Sequence, residues 1–167
     1  FEGASHLSSW DAQEVGAYEG GVGPMAIDAG RTYEGANDFY SDSPARVAQV
    51  FAQALGAAGI SATLGEAGEP PAGAAALATV SSATMGEQLR WMLAHSDNTL
   101  ADQYCRFAAR AAGAPATYEG ATSTVASTLS AAGVPTEGLF LEDCSGLSSN
   151  DRISANTLVG VLKASYS

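Results

Sequence analysis

Ser96-Asp97-Asn98 sets a hydroxyl and a carboxamide two residues apart on a short connection between helix-like segments. A hydroxyl both donates and accepts, so Ser96 can pass a proton between a neighbouring amine and a departing group. The carboxamide of Asn98 can hold a peptide backbone through its C=O and its N–H. Asp97 between them is expected to point the other way and fix the turn through its own hydrogen bonds. A second polar run follows: Asp143-Cys144-Ser145-Gly146-Leu147-Ser148-Ser149-Asn150-Asp151-Arg152-Ile153-Ser154-Ala155. Taken singly, the triplet is an ordinary turn and helix cap, and the second run is a polar loop before a capped helix.

A covalent reaction would also need an activated nucleophile, such as a serine three residues ahead of a lysine on one helix face. The only lysine is Lys163, and the residue three positions before it is Gly160. His95 reads as a helix-end residue favoured by the dipole rather than a base, and His6 lies in a loop-like stretch without an evident partner. Cys105 and Cys144 are compatible with one disulfide or with two free thiols. Their spacing fits no zinc pattern, so neither a metal nor another cofactor is expected.

A chain of 167 residues is long enough for one domain or pieces of two. Hydrophobic residues make up 46% and charged residues 15%, a balance that suits a folded core. The formal net charge of −11 makes nucleic acid and anionic membrane surfaces poor partners. No apolar run approaches the roughly 18–20 residues of a membrane-spanning helix.

The elements that must position the two runs follow from the pattern. The first forty residues are rich in glycine and aromatics, and Val22 to Tyr33 offers a strand with uncertain limits. Phe/Tyr-Glu-Gly recurs at Phe1, Tyr18, Tyr33 and Tyr118 and reads as turns rather than a repeat. A helix follows, capped by Asp42 or Ser43, with Pro44 in its first turn and Gly59 at its stop. Its face of Val47, Val50, Phe51, Ala54 and Leu55 is expected to pack on a sheet. Ile60 to Leu64 suggests a short strand, and Gly65 to Ala76, with Pro70-Pro71, a connection or domain border. Leu77 to Val80 suggests a short strand or an extended entry to the next helix. A helix with Met85, Leu89, Met92 and Leu93 as its stripe ends near His95, with both methionines in the core. Trp91 lies off that stripe and is read as the anchor of an interdomain contact.

The next helix is expected to bury Leu100, Tyr104, Phe107 and Ala108 and to stop near Gly113. Tyr118 to Gly133 is a further helix, with Ala121, Val125, Thr128 and Leu129 inward. Gly138 to Leu141 suggests a strand. A last helix from about Ser154 carries Leu158, Val159 and Leu162 on its core side and is expected to run on to the end of the chain. The fold class expected is α+β.

The stretch Leu89-x-x-Met92-Leu93-x-x-Ser96-Asp97-Asn98-x-x-Ala101-Asp102 resembles the class C low-molecular-mass penicillin-binding proteins. These are secreted D-alanyl-D-alanine carboxypeptidases and endopeptidases that trim peptidoglycan. In that family the triplet is followed by Ala-Glu and then Arg, where this chain has Asp102 and Arg106. The run from Asp143 resembles the family's Asp-Gly-Ser-Gly-Leu-Ser followed by Asn-Arg-x-Ser-Ala. Phe1 to Trp10, Tyr18 to Asp28 and the helix ending Leu55-Gly56-x-x-Gly59-Ile60 also look like the family, though more weakly.

The resemblance implies an S-x-x-K ahead of an inserted region and a K-T-G strand after Ser167, neither of them within this chain. Residues 1–76 would then end the inserted, partly β region, and 77–167 would be a mainly helical part of the serine D,D-peptidase domain. Ser96 would relay the proton, Asn98 would hold the acyl side of the substrate, and Ser145 and Leu147 would line the substrate pocket. The nucleophilic serine would form an acyl-enzyme, which penicillin traps.

Cys144 stands where the family has Gly, and Cys105 where it has an apolar residue. Both positions fall near the active-site wall, so the resemblance suggests a disulfide between them and an extracytoplasmic location. The implied partners are peptidoglycan stem peptides, β-lactam antibiotics and the remaining segments of the same protein. Two alternatives stand beside this: a β-lactamase-like enzyme, which shares the triplet, and a non-catalytic family member that binds peptidoglycan.

Overall fold

The computed structural model describes residues 1–69 and 71–166. Pro70, in the expected connection, and Ser167, at the end of the expected last helix, lie outside the described residues. Five α-helices carry the structure: α1 Ser43–Ala57, α2 Met85–His95, α3 Asn98–Ala111, α4 Tyr118–Ala131 and α5 Ala155–Ser165. A single 3-10 turn at Asp28–Gly30 precedes them.

Each helix starts where a side-chain oxygen takes up one of the backbone N–H groups that the first turn leaves unpaired. Asp42 accepts from Ala45 N at 2.9 Å, and Pro44 sits in the first turn. Thr84 and Glu87 form a reciprocal capping box at α2, and Thr84 holds the Glu87 carboxyl below its ordinary range. Asp97, Thr117 and Ser154 cap α3, α4 and α5 in the same way.

Among the described residues the molecule is mainly helical, as expected for the helical part of an α+β fold, and no strand forms to supply the β part. The four expected strands are corrected to irregular segments. Isolated bridges join Val15 to Glu19, Arg31 to Phe39 and Phe140 to Arg152. Part of the reason is that Tyr18 to Gly23, at the entry to the first of these segments, bonds to side chains of α3 instead of to a second strand. Asn98 Nδ2 donates to the Tyr18 carbonyl at 3.2 Å, and Gly20 N donates to Thr99 Oγ1 at 3.0 Å. Arg106 donates to Val22 O at 3.4 Å, and Gln103 to Gly23 O at 2.8 Å. These bonds supply partners for a buried backbone without a ladder. The segment passes so close to its neighbours that a Cβ at Gly21 would lie 1.9 Å from the Ser41 carbonyl oxygen.

α3 is the centre of the packing, in contact with α4, α2 and the 3-10 turn. Its buried face is Thr99, Leu100, Asp102, Gln103, Arg106 and Ala109, at helical spacing. The apolar face expected from the sequence is therefore corrected: Leu100 is buried, Tyr104 and Phe107 are half-buried, and Ala108 is exposed. A small apolar cluster of Trp10, Val22 and Tyr118 adjoins the polar face, with Phe1, Leu7, Val15 and Leu147 packed against it. In α4, Ala121 is buried as expected, Val125 and Leu129 are half-buried, and Thr128 is exposed.

Elsewhere the expected core positions are open. Phe51 on α1 is 63% exposed, and no sheet lies beneath it among the described residues. Met85, Leu93, Leu158, Val159 and Leu162 are likewise exposed. Leu77 and Val80 are almost fully so, and residues 56–69 and 71–87 are exposed throughout. α5 closes at Ser165 with Tyr166 as its cap rather than running on. It meets the turn after α4 closely, since a Cβ at Gly160 would lie 2.9 Å from a Val134 methyl. Trp91 stacks within its own helix on His95, with ring centroids 4.3 Å apart. No helix of the described residues is long and apolar enough to cross a membrane.

Candidate active site

Ser96 closes α2 and Asn98 opens α3, so the triplet is the whole connection between two helices. Ser96 adopts a left-handed backbone, φ 52°, ψ 52°, which a non-glycine residue seldom takes without compensation. The compensation is visible on both sides. Ser96 N and Asp97 N both turn back to Met92 O, the latter at 3.0 Å. Asp97 is buried, accepts from Leu100 N at 2.8 Å and pairs with the Arg31 guanidinium.

Arg31 is itself fixed between two rings, 4.7 Å from the centroid of Phe39 and 5.2 Å from that of Trp91. With Asp97 turned inward, as the sequence suggested, the hydroxyl of Ser96 faces solvent. It has no hydrogen-bond partner among the described residues. Asn98 spends one N–H on the Tyr18 carbonyl and keeps its own carbonyl and second N–H available. This is the equipment for orienting a peptide and moving a proton.

The second run is joined to the first through α3. Asp102 lies one turn beyond Asn98, about 6 Å along the helix. Its Oδ1 accepts from Cys144 N at 2.6 Å. Cys105 and Cys144 form a disulfide, with Cα atoms 6.4 Å apart, as the resemblance suggested. Asp143, fully buried, organises the loop by accepting from Trp10 Nε1 at 2.8 Å, Gly146 N at 2.7 Å and Ser148 N at 2.8 Å.

Ser145 is half-buried against Asp102, and its Oγ accepts from Leu147 N at 3.4 Å. Leu147 packs on the Trp10 cluster and lines a surface depression with Ser9, Asp11, Glu14 and Ser149. The structure thus gathers Ser145 and the disulfide at Asp102, one turn from Asn98, while Leu147 faces the amino-terminal segment.

Two ionisable residues that were not singled out in the sequence, one half-buried and one fully buried, adjoin the triplet and α3. Arg31, at the triplet, is one. Glu19 is the other: it is fully buried, and neither of its carboxyl oxygens has a partner if both it and Asp102 are ionised. Asp102 Oδ2 is orphaned in the same way. One proton pairs one Glu19 oxygen with Asp102 Oδ2, because neutral Glu19 then donates to Asp102. Burial first, and then the charge of Asp102, push the Glu19 carboxyl up to about 11. Burial also raises Asp102, to about 6, against the lowering effect of the bonds from Glu19 and Cys144 N. Glu19 is therefore the protonated member at neutral pH. Its local sequence, Tyr-Glu-Gly, carried no signal of this, since burial is imposed by α3.

Arg106 anchors the other end of the same helix face. Its guanidinium donates to Ala116 O at 2.8 Å, Glu2 O at 2.7 Å, Ala4 O at 3.1 Å and Val22 O at 3.4 Å. Desolvation lowers its pKa. Both cysteines being bridged, no free thiol is present among the described residues. No group of three or more His, Cys, Asp or Glu there could hold a metal ion.

Residues 34–167 match the family model described as D-Ala-D-Ala carboxypeptidase 3 (S13). The chain is 36% identical over 169 residues to Carboxypeptidase DacB of Mycolicibacterium smegmatis, covering 98% of this chain and 36% of that protein. Carboxypeptidase Rv3627c of Mycobacterium tuberculosis gives the same identity and the same shares. The chain therefore spans about a third of the length of these relatives. No solved structure matches.

Proposed function

The chain belongs to the D-Ala-D-Ala carboxypeptidase 3 (S13) family, and from that premise we propose that it forms one wall of a serine-type D-alanyl-D-alanine carboxypeptidase acting on peptidoglycan stem peptides. The observation that carries the proposal is the triplet itself. An exposed Ser96 hydroxyl in a left-handed turn stands beside an Asn98 carboxamide that keeps hydrogen-bonding capacity, over the pair of half-buried Arg31 and buried Asp97. The nucleophilic serine and its lysine come from chain outside these residues. That serine attacks the carbonyl between the two D-alanines, and D-alanine leaves as the acyl-enzyme forms. Ser96 passes the proton to the departing amine, and water then releases the shortened peptide.

Asn98 holds the backbone on the acyl side, while Ser145 and Leu147 flank the substrate and the disulfide ties their loop to α3. Endopeptidase cleavage of cross-bridges uses the same steps. Benzylpenicillin acylates the same serine and is trapped, because its leaving amine stays tethered in the product. On this reading residues 1–76 end an inserted region and 77–167 belong to the peptidase domain, with the wall built across both. The bridged cysteines suit an extracytoplasmic location.

The test is made on the full-length protein with a peptide ending in D-alanyl-D-alanine. Ser96→Ala is expected to lower kcat about 100-fold and Asn98→Ala to lower kcat/KM about 10- to 100-fold. Full activity in both variants would remove the triplet from the mechanism.

A further inference from the structure

We propose that Glu19, in its neutral form, is a positioning residue that fixes the orientation of the Asn98 carboxamide. This rests on the reading of Asn98 as the group that holds substrate.

Three consecutive residues of the amino-terminal segment grip α3. The Tyr18 carbonyl accepts from Asn98 Nδ2 at 3.2 Å, and Gly20 N donates to Thr99 Oγ1 at 3.0 Å. Between them the Glu19 side chain enters the buried space over Asp102. The contact at Tyr18 does more than hold the segment. A carbonyl oxygen only accepts, so it dictates that the N–H end of the Asn98 amide faces Tyr18. The Asn98 oxygen is thereby turned away from Tyr18 and left to accept an N–H from a bound peptide. Nothing else among the described residues is recorded fixing that choice.

The grip depends on the proton between Glu19 and Asp102. Charged groups face Glu19 from every element packed around it: Asp97 and Asp102 on α3, and Asp143 on the loop beyond. Tyr118 on α4 senses the same carboxyl. The buried cation of that helix face, Arg106, is committed to four backbone carbonyls. With Glu19 neutral, its O–H satisfies the orphaned Asp102 oxygen and draws Tyr18–Gly20 onto the helix. With Glu19 ionised, two carboxylates would confront each other out of water, and the segment would have to retreat. Tyr18 would leave Asn98, and the carboxamide would lose its orientation. Glutamine supplies a neutral N–H donor at the same reach, whereas alanine and aspartate do not bridge to Asp102.

The experiment uses the full-length protein carrying Glu19→Gln, Glu19→Ala, Asn98→Ala or the double change Glu19→Ala/Asn98→Ala, with rates normalised to folded protein by circular dichroism. Towards a D-alanyl-D-alanine peptide, Glu19→Gln is expected within about twofold of the parent and Glu19→Ala at least about tenfold lower in kcat/KM. The double variant should fall little below Asn98→Ala, since both changes remove one function. Strictly multiplicative losses, or equal losses for Gln and Ala, would overturn the proposal.

If Glu19→Ala does not fold, Glu19→Asp takes its place with the same expectations. If Asn98→Ala retains full activity, the reading of Asn98 falls, and crystal structures of the Glu19 variants decide the positioning claim alone. An Asn98–Tyr18 bond kept in Glu19→Gln and lost in Glu19→Ala supports it; one kept in both overturns it.

Discussion

The surroundings of α3 and those of α1 and α5 are built on opposite plans. α3 buries a face of Thr99, Asp102, Gln103 and Arg106, each hydrogen-bonded to backbone drawn from distant parts of the chain. α1 and α5 carry apolar stripes that remain open, with Phe51 63% and Leu162 60% exposed. Buried polar groups specify geometry because each has a small number of acceptable partners, whereas an apolar stripe accepts any surface of the right shape. The polar side is the one that holds the Ser96 hydroxyl and the Asn98 carboxamide. The apolar side suits a role of seating further chain, in a family whose members matched here are about three times as long.

The contrast can be broken or sharpened by substitution. The largest effect is expected at Arg106: Arg106→Met leaves four carbonyls without their donor and should cost on the order of 4 kcal/mol in urea unfolding. Next comes the bridge across 39 residues. Cys105→Ala/Cys144→Ala, or mild reduction, should lower stability by about 3 kcal/mol, read as a shift in the denaturation midpoint between oxidised and reduced protein. Arg31→Met exposes the buried Asp97 carboxylate to the loss of its partner, for about 2 kcal/mol. A double-mutant cycle with Asp97→Asn should return most of that loss as coupling.

A pH titration sharpens the same side. Glu19 and Asp102 have ordinary values of 4.5 and 3.8 and are raised in the fold to about 11 and about 6. The folded state therefore binds protons more tightly than the unfolded chain. The contribution of the pair is fully present below the unfolded values, falls most steeply as both titrate up to about pH 6, and continues to fall with Glu19 to about pH 11. The parent should lose stability relative to Glu19→Gln as pH rises, and a difference independent of pH would remove the shared proton. Smallest of all, Leu162→Ser or Phe51→Ser should change the stability of this chain by no more than about 0.5 kcal/mol. A loss of several kcal/mol there would erase the contrast between the two sides.

What the sequence made legible follows the same division. Helix positions were readable, and so were the caps at Asp42 and the triplet and the start at Ser154. These side chains act on backbone within three residues of themselves; the caps at Thr84 and Thr117 were not singled out. The inward turn of Asp97 was readable at the triplet, and the Cys105–Cys144 bridge followed from the family resemblance. The buried face of α3 was misjudged because hydrophobic periodicity favours Tyr104 and Phe107, while the interior there is assembled from satisfied polar groups. Strands were expected from short apolar runs whose backbone partners were taken to be other strands. At Tyr18–Gly23 most of those partners are side chains of α3, with Gly21 N and Val22 N bonding to the Tyr40 and Ser5 carbonyls.

Phe/Tyr-Glu-Gly shows the limit most clearly. At Tyr33 it is an exposed turn, at Tyr118 it begins α4, and at Tyr18 it buries a carboxyl at the site. Three residues cannot encode which of these occurs; the opposing helix does.

The central claim is that these residues form the Ser96–Asn98 wall of a penicillin-sensitive serine D,D-peptidase whose nucleophile lies elsewhere in the protein. Denaturing mass spectrometry of the full-length protein, before and after benzylpenicillin, followed by peptide mapping, tests it most directly. The account predicts one covalent adduct, on a serine outside residues 1–167 and lost or greatly slowed in Ser96→Ala. No adduct, or an adduct on a residue within these 167, would contradict it.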